Sequence, residues 1–149
     1  MKYYAGICIF LFFIGHVSCN SSEKKDTEVV VTTSTQPQTE LEKSISRGAK
    51  VYKDYCIQCH LPSGKGIKGL YPPLDGSDWL TDKRTESIHA VKYGLRGEIT
   101  VNGEVYNNIM LPLGLKDEQV VDVMNYLMHS WSNTLSEEVT LEEVKSVTK

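Results

Sequence analysis

The sequence predicts a mainly α-helical domain organised around one short motif, with polar segments on either side. Three observations predict it. A stretch ending at Cys56 and another beginning near Asp117 repeat apolar residues at helical spacing. The one short strand signal is an Asn102-Gly103 pair between β-prone residues, which reads as a hairpin. Between the helical stretches lies Cys56-Ile57-Gln58-Cys59-His60, whose side chains need a helical turn to act together.

Two cysteines three positions apart and followed at once by histidine have the form of a c-type haem attachment site. Both thiols add to the porphyrin vinyl groups, and the adjacent imidazole reaches the iron. A Cys-x-x-Cys pair also serves as a redox dithiol or as half of a zinc site. Here no βαβ pattern surrounds the motif and no second ligand pair accompanies it.

The chain has 149 residues and a formal net charge of −3. Acidic and basic side chains are equal in number between Glu42 and Trp131, so the excess lies in the flanks and nothing points to nucleic acid. A domain this small gains from a buried prosthetic group, which supplies apolar bulk. Every cysteine has a place without a disulfide: Cys8 and Cys19 in the leader, Cys56 and Cys59 in the motif.

Residues 1–18 read as an export signal, with Lys2 before an apolar run from Ala5 to Gly15 that is too short for a comfortable membrane span. The run ends in His16-Val17-Ser18-Cys19, which resembles the lipobox of bacterial lipoproteins, although His16 stands where an aliphatic residue is usual. The resemblance implies cleavage before Cys19 and lipid on its thiol; an uncleaved anchor and ordinary cleavage nearby are the alternatives. Residues 19–39 are poor in large apolar side chains and read as a flexible tether.

The domain is expected over 40–132. Its first helix starts at Thr39-Glu40-Leu41-Glu42, a capping box, with Leu41, Ile45, Ala49 and Tyr52 as the apolar stripe. Gly48 in that stripe costs a helix roughly 1 kcal/mol against alanine and calls for a second helix crossing at close range. After the motif, Gly64, Gly66 and Gly69 mark a loop, and Tyr71-Pro72-Pro73-Leu74 must be extended. Such a loop can hold a carbonyl against the ring N–H of His60. A helix over Arg84 to Tyr93 turns Ile88 and Val91 inward and leaves His89 at the surface. Met110, in a loop rich in helix breakers, is the best candidate for a second axial thioether ligand, whereas Met124 and Met128 fall in the stripe of the last helix, Asp117 to Trp131. His129, at that helix's end, reads as solvated. Residues 133–149 form a tail in which Thr140-Leu141-Glu142-Glu143 starts a short helix with Leu141, Val144 and Val147 on one side.

From Gly48 to Trp131 the chain resembles a class I cytochrome c, on Gly48 and Tyr52, the Cys56–His60 motif, the Pro-Pro-Leu loop, the late methionine and Asn125-Tyr126-Leu127. Val101-Asn102-Gly103 to Tyr106, Met110, Pro112, Gly114 and Ser130-Trp131-Ser132-Asn133 are similar to the cytochromes that accompany periplasmic dehydrogenases and copper nitrite reductases. That group has proline directly after the methionine and glycine at the position of Ser132; here Leu111 intervenes. The resemblance implies a haem-centred class I fold, a crossing of the first and last helices near Gly48 and Tyr126, and a Pro72 carbonyl that accepts from the proximal histidine.

The expected function is that of a one-electron carrier of the bacterial envelope rather than an enzyme. It holds one covalent haem c on Cys56 and Cys59, with iron ligated by His60 and Met110. Its partners are redox proteins: a dehydrogenase, a reductase or a terminal oxidase. A lipid on Cys19 attaches it to the membrane, and Arg47, Lys50, Lys53, Lys65 and Lys68 are candidates for a docking ring. The competing readings are a haem subunit fixed in a periplasmic oxidoreductase, with the tail as docking element, and a gas-binding or catalytic haem protein with an open sixth position.

Overall fold

Thr39 and Glu42 close a reciprocal cap: the Thr39 hydroxyl accepts from the Glu42 N–H at 3.1 Å and the Glu42 carboxylate from the Thr39 N–H at 2.8 Å. From this cap, in a computed structural model that describes residues 37–149, helix α1 runs Glu40–Tyr55. The leader, Cys19 and all of the expected tether except its last three residues lie outside the described residues. Cys56 links α1 to a single further turn, α2 (Ile57–His60), which stops where Leu61 takes a positive φ of 64°.

The buried line of α1 is Ser44, Gly48, Val51 and Tyr52, one position round from the expected stripe; Leu41, Ile45 and Ala49 flank it, half-buried. The rotation has a polar cause. Ser44 and Arg47 both reach Asp122, a nearly buried residue of α5 (Asp117–Met128), through bonds of 2.7 Å. Gly48 lies at the centre of this crossing, where a Cβ would overlap the Asp122 carbonyl and come within 2.7 Å of the Tyr126 Cβ. The glycine therefore allows two backbones to touch, a gain that offsets its cost to α1.

Between these helices the chain forms α3 (Asp78–Asp82), α4 (Arg84–Tyr93) and a hairpin of β1 (Ile99–Val101) and β2 (Glu104–Tyr106). Helix α3 was not expected. Its start signal is Ser77, whose hydroxyl accepts from the Trp79 N–H at 3.3 Å, but five residues are too few to show a period. Ile88 and Val91 of α4 face inward, and the hairpin turns at Asn102 and Gly103 with φ of 50° and 77°, the left-handed pair that a two-residue turn needs.

Two expectations for the C-terminal part are corrected. Helix α5 ends at Met128, not at Trp131: Trp131 itself has a φ of 56° and turns its ring back against Tyr52 and Tyr126, at centroid distances of 5.3 and 5.7 Å. The segment after residue 132 is not a solvated tail. Val139 and Val144 are fully buried with α4 and α5 beneath them, and the helix α6 (Leu141–Ser146) begins at a Thr140 cap. Polar bonds hold it there. Asn125 donates to the Val139 carbonyl at 3.1 Å and accepts from its N–H at 2.7 Å, and Arg84 grips Glu143 through two bonds of 2.6 and 3.0 Å. These partners lie far apart in the chain, which is why the segment's own sequence shows an apolar side but not what covers it.

Candidate functional site

The last turn of α1 delivers Cys56 and the next turn delivers Cys59 and His60, through backbone bonds from the N–H groups of Cys59 and His60 to the Cys56 carbonyl at 3.1 and 3.0 Å. Both sulfur-bearing side chains and His60 border one cavity, together with Tyr71, Met110 and Leu113. The Gly66 N–H in turn donates to the His60 carbonyl at 3.0 Å. Gly66 has a φ of 59° and packs so closely under the proline loop that a Cβ there would lie 2.5 Å from the Pro72 carbonyl oxygen.

His60 Nδ1 lies 3.0 Å from that same oxygen. A carbonyl only accepts, so Nδ1 carries the ring proton and Nε2 keeps its lone pair. Burial lowers the imidazole pKa, the Pro72 bond opposing it only in part, and the ring is therefore held in its neutral, metal-binding form.

Three adjoining cavities meet at this point, and His60 and Met110 border all of them. The inner one has walls from Leu74, Leu80, Val91, Val101, Met124 and Leu127. Met110 is set in place by paired backbone bonds with Leu95, of 2.8 and 2.9 Å, across a single β-bridge within the loop expected to be irregular. Gly94 makes room for it, since a Cβ there would lie 2.6 Å from the Met110 carbonyl oxygen. Met124 borders only the inner cavity and Met128 none of the three, both fully buried. Helix α3 adds Trp79 to the wall, and alternation in β1 adds Ile99 and Val101. Those two could have been read from the period of the hairpin; Trp79 could not.

This chemistry separates the readings of the cysteine pair. Burial, with a smaller effect from Cys59, pushes the Cys56 thiol up to about 12, the reverse of the thiolate that a redox dithiol requires. Among the described residues no group of three or more His, Cys, Asp or Glu side chains converges as a metal site. An apolar cleft with two thiols at its mouth, one oriented imidazole and one thioether suits a flat, apolar macrocycle carrying its own metal.

Other sequence candidates fall outside the cleft. Arg47 is engaged by Asp122 and Lys68 pairs with Glu104 at 3.4 Å, so two of the five basic candidates have partners within the fold. His129 donates through Nδ1 to the Asn125 carbonyl at 2.8 Å, and His89 packs against Tyr93 with ring centroids 5.2 Å apart.

Comparison with known proteins gives a consistent result. The family model "Cytochrome c" matches residues 45–131. The chain is 37% identical over 109 residues to cytochrome c-552 of Thermus thermophilus, covering 67% of this chain and 82% of that protein. It is 35% identical over 111 residues to the gluconate 2-dehydrogenase cytochrome c subunit of Pantoea cypripedii, covering 68% of this chain and 24% of the subunit. With the Cbb3-type cytochrome c oxidase subunit FixP of Sinorhizobium medicae it shares 32% identity over 107 residues, 70% of this chain and 36% of that subunit.

Proposed function

The chain belongs to the cytochrome c family, and from that premise we propose that it carries single electrons between redox proteins on the outer side of a bacterial cytoplasmic membrane. Haem c, bound covalently, is the family's cofactor; in this reading Cys56 and Cys59 hold it and His60 and Met110 ligate the iron. One observation carries the assignment: His60 and Met110 border all three cavities of the cleft together, with the His60 proton already committed to Pro72.

The haem supplies a centre that changes charge by one electron. The protein does the rest. Pro72 fixes the ring plane and basicity of His60. Met110 is a soft ligand that favours the reduced state relative to a second histidine. The apolar wall from Leu80, Val91 and Leu127 excludes water, and Tyr55, Ile109 and Leu111, all exposed beside the cysteines, form an apolar rim where a partner can approach. Docking of this kind is small in area and short-lived.

The relatives' names support a second reading, a haem subunit of an oxidoreductase. The segment after residue 132 is a poor docking element for such an enzyme, since Val139, Val144 and Val147 are turned into its own core. We further propose that Cys19 is lipidated and anchors the protein; Cys19→Ala then releases it from membranes after a carbonate wash with haem content unchanged.

The ligand set is tested with Met110→Ala. If Met110 is the sixth ligand, the ferric wild type has the weak long-wavelength band of sulfur ligation and the reduced protein binds carbon monoxide poorly. The variant loses the band and binds carbon monoxide, while Met124→Leu and Met128→Leu behave as wild type. A wild type that lacks the band and binds carbon monoxide rapidly overturns the carrier reading in favour of an open-site haem protein.

A further inference from the structure

Asn133 lies after α5, far in sequence from the histidine, yet its side chain ends at the loop that carries Pro72. Its Nδ2 donates to the carbonyls of Leu74 and Leu127, both at 2.8 Å, and its Oδ1 accepts from the Gly76 N–H at 2.9 Å. The two carbonyls and the one N–H leave no choice of amide orientation, and every polar hydrogen of the amide is used. The residue before it adds a second tie. Both the N–H and the hydroxyl of Ser132 donate to Asp75 Oδ1, and Ser132 stands where the resembling cytochromes have glycine, which has no hydroxyl to give. The same residues are also bound through the N–H groups of Leu74 and Asp75, both to the Gly64 carbonyl, at 2.6 and 3.0 Å. Two residues before Leu74, just upstream of these ties, is the carbonyl that accepts from His60.

We propose that Asn133, assisted by Ser132, is a positioning residue for the axial histidine: it pins residues 74–76 to the end of α5 and so sets the strength of the Pro72–His60 hydrogen bond. The bond makes the imidazole a stronger donor, and a stronger donor favours ferric over ferrous iron. Loosening the loop weakens the bond, and the reduction potential rises. The inference rests on His60 being an iron ligand.

The test uses the haem-loaded protein with Asn133→Leu, which keeps the bulk and removes all three bonds, and Ser132→Gly, which removes only the hydroxyl bond. Val144→Ala serves as a control, since it loosens the packing of α6 without touching the loop. Three quantities are read: the midpoint potential, the exchange rate of the His60 ring N–H by proton NMR of the reduced protein, and the unfolding midpoint. The expected result is a clear upward shift in potential with faster ring N–H exchange for Asn133→Leu, and the same changes, smaller, for Ser132→Gly. Val144→Ala lowers the unfolding midpoint alone. If Asn133→Leu fails to retain haem, Ser132→Gly still decides. An unmoved potential and unchanged exchange in the variants that load haem overturn the proposal, as does an equal shift in Val144→Ala. Failure of the ligand assignment looks different: the wild type itself then lacks the spectrum of a histidine-ligated haem.

Discussion

The crossing of α1 with α5 and the shell of loops around His60 are fixed by different means. At the crossing, two rigid helices meet backbone to backbone at Gly48, and the buried Asp122 gathers Ser44 and Arg47 across the seam. In the shell there is little regular structure to transmit position. Single side chains do so instead, each bonded to backbone: Tyr52 to Leu61, Trp131 to Pro62, Asn133 to Leu74 and Gly76. Displacement at the crossing has to move a whole helix and therefore shows as lost stability. Displacement in the shell moves a few atoms next to the cofactor, and the fold survives it.

The largest effect should come from Gly48→Val, which breaks the crossing itself. The new side chain overlaps the Asp122 carbonyl, and since neither helix can yield locally the loss should be about 3 kcal/mol or more, at the upper end of overpacking costs. It is read as the denaturant midpoint of the haem-loaded protein. A loss near the ordinary propensity difference would mean that the helices separate cheaply. Asp122→Ala is next, at about 2 kcal/mol, because it leaves the buried Ser44 hydroxyl without its acceptor and frees Arg47. Double-mutant cycles with Ser44→Ala should give a coupling that salt hardly reduces.

Tyr52→Phe sharpens the comparison, since Tyr52 belongs to both regions: its ring packs in the crossing while its hydroxyl donates to the Leu61 carbonyl at 2.6 Å. Burial raises the phenol pKa, so the hydroxyl remains a donor through the physiological range. Its removal should cost about 1 kcal/mol and leave the helix crossing as it is. The smallest effect concerns the Arg84–Glu143 pair, which joins α4 to α6. The bonds from Arg84 hold the Glu143 carboxyl below its ordinary value of 4.5. The unfolded chain therefore takes up the proton first; the pair's stabilisation is complete above that value and disappears as the pH falls through the lower folded one. Glu143→Gln should cost about 0.5 kcal/mol near neutrality and nothing in strong acid, so the unfolding midpoints of variant and wild type should converge below pH 4.5.

What was legible in the sequence follows a common physical rule. The Thr39 cap, the Asn102-Gly103 turn and the Cys56–His60 motif are written within four or five consecutive residues, the Arg84–Tyr93 helix within one run of ten, and each appears in the fold. Gly48 was legible because a glycine in a helix needs an external reason. The rotation of the α1 face was not, since the bond from Asn125 to Ser44 spans 81 positions and favours a serine over the apolar neighbours that define a stripe. What covers Val139, Val144 and Val147 was hidden in the same way, because Asn125 and Arg84 reach this segment from other parts of the chain. In the cleft, His60 and Met110 could be named from type and position, whereas Trp79 and Asn133 carry no local mark of what they touch.

The long span between α1 and its partners also imposes an order in time. Cys59 leaves the ribosome well before α5 exists, and at roughly 5–20 residues per second the interval before α5 is complete lasts several seconds. Until then Gly48 has nothing to lie against and the wall of the cleft formed by Met124 and Leu127 is missing. The thiol of Cys56, nearly inaccessible in the finished fold, is thus presented on an open chain first and enclosed afterwards. A fold closed by α5 leaves Cys56 and Cys59 open for as long as that helix is unmade.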